Sequence, residues 1–291
     1  MQILANNINI EYEDFGKKTD PTILFIRGLG SQLIHWPSNF INGFVEVGYR
    51  VIIFDNRDIG LSASCPKKGI SYKRENIVNI INAGEKLTPA YSLDDMALDV
   101  VGLMDAIGIE KAHIFGMSLG GAITQVLLIN HKARLHSATI VMSSSKLSDP
   151  SRIKKIALQH NSREEYVENA VNENKIWGNL NFPVSEAYTR DLAGRAFDRG
   201  ADSEAVNRQA SAVYSFGDRR AALKLIDLPC LVIHGADDVL VPPEEGKEIA
   251  SLIKSSEVKI IEGMGHEITP LLSPIINNLV HDFLMRRCNI L

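Results

Sequence analysis

Cysteine is scarce in this chain, and its scarcity excludes a disulfide-built fold. Cys65, Cys230 and Cys288 are three thiols among 291 residues and stand far apart, so they form no framework of paired positions. Cys230 lies inside an apolar run and reads as a small buried hydrophobe. Long hydrophobic runs are missing as well. No stretch approaches the roughly 18 apolar residues that a membrane-spanning helix needs. Met1 to Glu13 lacks a charged start followed by an apolar core, so no signal peptide is expected. Positive charge is not in surplus: 31 Lys and Arg against 35 Asp and Glu leave a formal net charge of −4. That balance argues against a nucleic-acid binder, which normally carries a basic face. The basic clusters Pro66-Lys67-Lys68 and Arg286-Arg287 are short enough to be solvated surface. The sequence has no internal repeat and no low-complexity tract. What these absences leave is a cytoplasmic, reduced, globular protein, 45% hydrophobic and 23% charged.

Short apolar runs alternate with helical patterns along the chain. Thr22 to Ile26, Tyr49 to Asp55, Ala112 to Gly116, Ala138 to Met142, Leu231 to His234 and Val258 to Ile261 are expected as strands. They lack strict alternation, as strands buried on both faces do. Ile8 to Tyr12 alternates better and reads as an edge hairpin strand. Between Ser92 and Ile107 the apolar residues Met96, Val100, Leu103, Met104 and Ile107 fall at helical spacing, with Ser92 as N-cap and Gly108 as stop. Further helices are expected from just after Ser118 toward His131, from Pro242 to Ile253 and from Thr269 to Met285. Cys65 to Tyr91 is irregular, with a short helix near Asn76 to Ala83. From Ser148 to about Leu225 the strands stop and dispersed aromatics accompany mixed charges, the pattern of several amphipathic helices inserted between two core strands. The fold class is therefore α/β, a mostly parallel central sheet flanked by helices. A first core part at 1–145 and a second at 227–291 bracket a helical cap at 146–226.

The densest chemical signal is Gly116-Met117-Ser118-Leu119-Gly120-Gly121. A Gly-x-Ser-x-Gly match alone is weak, since roughly one chain of this length in ten carries one by chance. Its context is more informative: it ends a buried strand and opens a helix, as a nucleophile elbow requires. Small residues two before and two after the serine let strand and helix approach. Helix onset also leaves free backbone N–H groups beside the hydroxyl, among them that of Leu119. The bland alternative is a tight turn without chemistry.

From Leu93-Asp94-Asp95-Met96-Ala97 through that motif, the chain resembles the α/β-hydrolase superfamily. It is most similar to the branch of aclacinomycin methylesterase-like esterases. Asp55-Asn56-Arg57-Asp58-Ile59-Gly60-Leu61-Ser62 fits that branch, since many other hydrolases carry Gly where Asp58 stands. The resemblance runs from about Leu24 to His266 and implies a triad in the order Ser, Asp, His. Its acid pattern, Gly-x-x-Asp with Pro four residues later, fits Gly235, Asp238 and Pro242 and favours Asp238 over Asp237. Both could instead form a turn or cap the helix after Pro243. Its final motif corresponds to Gly263-Met264-Gly265-His266 after the last strand. The resemblance also nominates the Leu29 N–H, in Arg27-Gly28-Leu29-Gly30-Ser31, as a second oxyanion donor beside that of Leu119. Arg27 replaces the usual His. His35 and Trp36 close this loop, with Trp36 a candidate substrate-binding residue or a packing residue. Asp55, Arg57 and Asp58 read as a salt-bridged turn supporting the loop.

No third Gly follows Gly28-Leu29-Gly30 at dinucleotide spacing, and no phosphate-binding loop is present, so no nucleotide cofactor is expected. His266-Glu267 lacks the second His of a zinc-binding helix, so no metal is expected either. The expected function is a serine carboxylesterase acting on a small apolar ester through an acyl-enzyme. Carbon–carbon bond hydrolysis or perhydrolysis with the same triad is an alternative. So is a non-catalytic ligand-binding protein derived from a hydrolase.

Overall fold

A computed structural model describes residues 1–62, 72–146 and 160–288. Cys65, the Pro66-Lys67-Lys68 cluster and the first part of the expected cap lie outside them. Eight strands form one sheet: β1 (Gln2–Ala5), β2 (Ile8–Phe15), β3 (Thr22–Ile26), β4 (Arg50–Phe54), β5 (Ala112–Met117), β6 (Leu135–Val141), β7 (Cys230–Gly235) and β8 (Ser256–Ile261). Their order is β1-β2-β4-β3-β5-β6-β7-β8. β1 pairs with β2, and β2 with β4, antiparallel; every other pairing is parallel.

The six expected runs are strands β3 to β8, with one correction: β8 is the edge of the sheet and none of its residues is buried, because only β7 pairs with it. The expected edge strand is corrected in one respect. It runs on to Phe15 and lies inside the sheet, because the four residues of β1 pair along its outer side. The turn between them, Asn6-Asn7, has positive φ at both residues (46° and 63°). Such a two-residue turn matches the twist of a hairpin. β1 has no long apolar run to announce it, and only Ala5 is fully buried.

Alternate residues of the parallel strands feed two separate cores. Phe25, Ile53, Phe115 and Ile233 face a cluster with α1 (Ser38–Glu46) and α10 (Ser273–Cys288). Leu24, Ile52, Ile114 and Val232 face the other side. There they meet α3 (Leu93–Ala106), α4 (Leu119–Asn130) and α9 (Pro243–Leu252). Ser92 caps α3 as expected: its hydroxyl accepts from the Asp95 N–H while the Asp95 carboxylate accepts from the Ser92 N–H. α10 starts at Ser273, later than expected, because Thr269 to Leu272 form a turn in which the Thr269 hydroxyl accepts from the Leu272 N–H.

The irregular stretch before α3 carries α2 (Arg74–Asn82). Between β6 and β7 lie α5 (Arg163–Trp177), α6 (Glu186–Gly200), α7 (Ser203–Ser215) and the short α8 (Arg220–Leu223). Leu223 of α8 is already part of the core that holds α4 and α9. From β3 the chain moves outward to β4 and then returns to the opposite side of β3 to make β5. Loops leaving β3 and β5 therefore diverge and open a crevice at the carboxyl ends of those strands, the position where open α/β sheets bind ligands.

His113 on β5 is buried, shares a hydrogen bond with the Ser137 hydroxyl (2.8 Å) and stays neutral, its pKa pushed down to about 3 by burial and by His136. The unfolded imidazole titrates near 6.5, so the unfolded chain takes up this proton first. Stability should fall as pH drops from about 6.5 toward 3, with His113 alone contributing about 1.4 kcal/mol per pH unit. Urea unfolding at pH 6.5, 5.5 and 4.5 should show a correspondingly shallower loss for His113→Gln; equal slopes would contradict the assignment.

Candidate active site

Ser118 sits between β5 and α4 with φ 56° and ψ −115°, a conformation L-residues rarely adopt. It is held there from both sides. The Ser118 N–H donates to the Val141 carbonyl (2.8 Å), and the Ser118 carbonyl accepts from the Ser143 hydroxyl (2.9 Å). The neighbouring glycines are required by packing. A Cβ on Gly120 would collide with the Ile26 carbonyl, and one on Gly116 with the Gly120 carbonyl. Helix α4 can therefore press its first turn against the end of β3.

Residues from three distant parts of the chain converge on this turn. His266 Nε2 lies 3.0 Å from Ser118 Oγ, and His266 Nδ1 lies 2.6 Å from Asp238 Oδ2. Since a carboxylate only accepts, Nδ1 carries the proton and Nε2 is free to accept from the hydroxyl. Asp238 is buried and takes two further donors on Oδ1, the N–H groups of Leu240 (2.9 Å) and Val241 (2.8 Å). Burial disfavours its charge, but His266, His234 and the Val241 N–H outweigh that cost and hold its pKa well below the usual carboxylate range. Asp237 does different work: its Oδ2 accepts from the Gly263 N–H (2.8 Å) and braces the loop that carries His266.

The loop after β3 borders the same turn. Gly28 has no side chain to separate it from Ser118; a Cβ there would stand 3.7 Å from Ser118 Oγ. Leu29 and Leu119 flank the hydroxyl, and Leu29 and Ser118 both line the cavity above it. Behind the loop, the Asn56 side chain donates to the Arg27 carbonyl (3.2 Å). The Asp55–Asp58 turn is salt-bridged as expected: Arg57 pairs with Asp99, Asp58 with Arg208, and Asp55 with Arg199.

Several contributors carry no motif. Gln209 of α7 accepts from the Gly30 N–H (3.0 Å) and donates to the Arg57 carbonyl (3.1 Å), so one buried amide ties the loop to the turn. The His266 N–H donates to the Trp177 carbonyl at the end of α5 (2.7 Å), and the Asn179 side chain accepts from the Gly265 N–H (2.8 Å). The inserted helices thus brace both loops. A polar residue at a buried helical position, Gln209 inside an Ala- and Ser-rich stretch, is the one signal that could have singled it out.

Two lobes of empty space meet at Ser118, Leu29 and Leu240. The larger, about 230 Å³, is walled by Arg27, His35, Tyr166, Asn174, Tyr188 and Glu267 among others. The smaller, about 90 Å³, is lined mainly by apolar groups such as Leu119, Ala122, Met142, Val213 and Val241. Trp36 borders neither lobe. It is buried in an aromatic cluster with Phe25, Phe40 and Phe115, under the Arg27 guanidinium. That corrects the substrate-binding expectation: three rings within packing distance offer more contact than the cavity wall. Of the two lobes, only the smaller is apolar enough to suit the small apolar ester expected from the sequence.

The profile of the alpha/beta hydrolase fold family matches residues 21–269. The chain belongs to this family of hydrolases. Among its relatives is rhodomycin D methylesterase of Streptomyces peucetius, 25% identical over 296 residues and covering 91% of each chain. Another is 3-oxoadipate enol-lactonase 2 of Acinetobacter baylyi, 23% identical, covering 99% of this chain and 97% of that one. The crystal structure of an enol-lactonase from Burkholderia xenovorans matches the fold with a TM-score of 0.75 at 21% identity, over 98% of this chain and 100% of that one. The likeness to methylesterases agrees with the resemblance read from Asp55 to Ser62.

The strained serine yields a stability test. Ser118→Gly removes the side chain that disfavours φ 56° and should raise the free energy of unfolding by about 1 kcal/mol, net of the extra freedom glycine gains when unfolded. Urea denaturation would show it; a variant less stable than the parent would mean that the turn is not strained.

Proposed function

We propose that the chain is a serine hydrolase that cleaves carboxylic esters through an acyl-enzyme. The observation that carries this reading is the continuous hydrogen-bonded line from Asp238 through His266 to Ser118 Oγ, at 2.6 and 3.0 Å. In the proposed cycle Ser118 attacks the ester carbonyl while His266 Nε2 takes the hydroxyl proton. The tetrahedral oxyanion is received by the N–H groups of Leu29 and Leu119. His266 then gives its proton to the leaving alcohol, and the freed imidazole activates water to release the acid. Asp238, ionised and tied to Nδ1, keeps the imidazole in the required tautomer and stabilises its protonated form. A serine in this place, rather than a carboxylate, supports acyl transfer over nucleophilic displacement at an alkyl carbon.

Ser118→Ala is expected to abolish hydrolysis of p-nitrophenyl acetate and butyrate while retaining the far-UV circular dichroism of the parent. Asp238→Asn should lower kcat by about 10⁴-fold, since the amide favours the wrong tautomer. β-Diketone and amide substrates assayed alongside separate ester cleavage from carbon–carbon and amide hydrolysis. Turnover that survives Ser118→Ala would sink the assignment.

Gln209→Leu leaves the Gly30 N–H without its acceptor and should loosen the Leu29 donor. One oxyanion donor is worth about 3 kcal/mol, so partial loss should lower kcat at least tenfold with little change in KM. Steady-state kinetics on the same esters reads this directly, and an unchanged kcat would place the oxyanion donors elsewhere.

A further inference from the structure

Arg27 is buried, at 5% exposure, yet has no ion pair among the described residues. Its guanidinium lies over the Trp36 ring, 4.5 Å from the centroid, with Nη1 directed at the Met117 sulfur (3.6 Å) and Nε without any hydrogen-bond partner. The other deeply buried arginines are differently placed. Arg50 pairs with Asp14, Arg57 with Asp99 and Arg208 with Asp58, while Arg219 donates to Gln125 and to the Ser144 carbonyl. Leaving a buried cation unpaired costs several kcal/mol unless something else receives it. Arg27 keeps its charge at neutral pH, its pKa lowered by burial only to about 10.

Arg27 also forms part of the wall of the larger lobe, together with Ser118. One residue, Gly28, separates it from Leu29 along the loop. Glu173, Asp202 and Glu267 also line the lobe; Glu267 is engaged by the Asn174 side chain (2.8 Å) and attracts Arg27 through space without forming an ion pair with it. The lobe beside the hydroxyl therefore presents a cation whose hydrogen-bonding edge is incompletely used. The second lobe is apolar and small.

We propose that Arg27 is a substrate-binding residue for a carboxylate, and that the preferred substrate is a half-ester of a short dicarboxylic acid with a small alcohol. This rests on the ester-hydrolase reading above. The free carboxylate pairs with the Arg27 guanidinium in the larger lobe, and the alkyl group of the alcohol occupies the apolar lobe across Ser118. Water adds to the acyl carbon and the ester C–O bond breaks. The products are the dicarboxylate, the alcohol and one proton.

The test compares monoethyl glutarate with ethyl pentanoate in a pH-stat, using the parent chain, Arg27→Met and Arg27→Lys. The parent should favour the half-ester at least tenfold in kcat/KM, glutarate should inhibit competitively, and Arg27→Met should lower that preference at least tenfold. Arg27→Lys should keep part of it. Equal turnover of both esters by the parent would overturn the carboxylate site and leave the hydrolase reading intact. Binding of glutarate to Ser118→Ala, followed by calorimetry, is independent of turnover. Binding that Arg27→Met abolishes in that background, with no ester cleaved by the parent, would support the site and overturn the reading beneath it. If Arg27→Met does not fold, the parent's preference and the calorimetry decide; no preference and no binding reject the proposal.

Discussion

The left-handed backbone at Ser118 is the constraint around which the rest of the molecule is arranged. A serine held at φ 56° turns its hydroxyl out of the sheet at the abrupt change from strand to helix. Such a conformation persists only where the surroundings over-determine it. Here they include the Val141 carbonyl, the Ser143 hydroxyl and the seating of Gly120 against the Ile26 carbonyl. Sheet order then decides what the hydroxyl can meet. Because β3 and β5 are neighbours whose continuations diverge, the Gly28 loop and the Ser118 turn face one crevice.

The inserted helices contribute to the site more as a brace than as a cover. The end of α5 accepts the His266 N–H through the Trp177 carbonyl, and α7 holds the Gly30 N–H through Gln209. Each of the two loops that border Ser118 thus has at least one backbone N–H satisfied by the insertion. A loop tied in this way has fewer alternative positions, so its groups need less reorganisation when charge develops beside them. Gln32 adds a further tie, donating to the Ala196 and Gly200 carbonyls of α6.

Electrostatics divides the site into two environments. Asp238 is buried but surrounded by donors, and its charge is stabilised where it lies. Arg27 is buried to a similar degree against an aromatic face and a sulfur, with no ion pair among the described residues and Glu267 attracting it only through space. The contrast matters because a satisfied buried charge fixes geometry, whereas an unsatisfied one favours any ligand that completes it. In the proposed esterase the loop that carries Leu29 therefore also bears on which acyl groups are accepted.

Much of this was legible in the linear sequence wherever the physics is local. The buried strands follow from apolar runs, α3 from its spacing and its Ser92 cap, and the turn at Ser118 from glycines at fixed offsets. The preference for Asp238 over Asp237 came from the resemblance, through the Gly-x-x-Asp pattern with its Pro242, and not from a local rule. Other features were not legible. β1 is too short and too exposed to stand out, and it becomes a strand because β2 offers an edge to pair with. Trp36 is as apolar as a pocket residue should be, and only the neighbouring Phe25, Phe40 and Phe115 rings draw it into the core. Gln209, Asn179 and the Trp177 carbonyl act across long separations in the chain, where no spacing rule operates. The sequence by itself determined the order of elements and the class of sheet, because those depend on periodicity and near neighbours, while its resemblance to a hydrolase family nominated the three side chains proposed for catalysis. Tertiary structure alone decided what braces them and where the Arg27 charge is left unmatched, because burial and pairing are properties of residues brought together from distant parts of the chain.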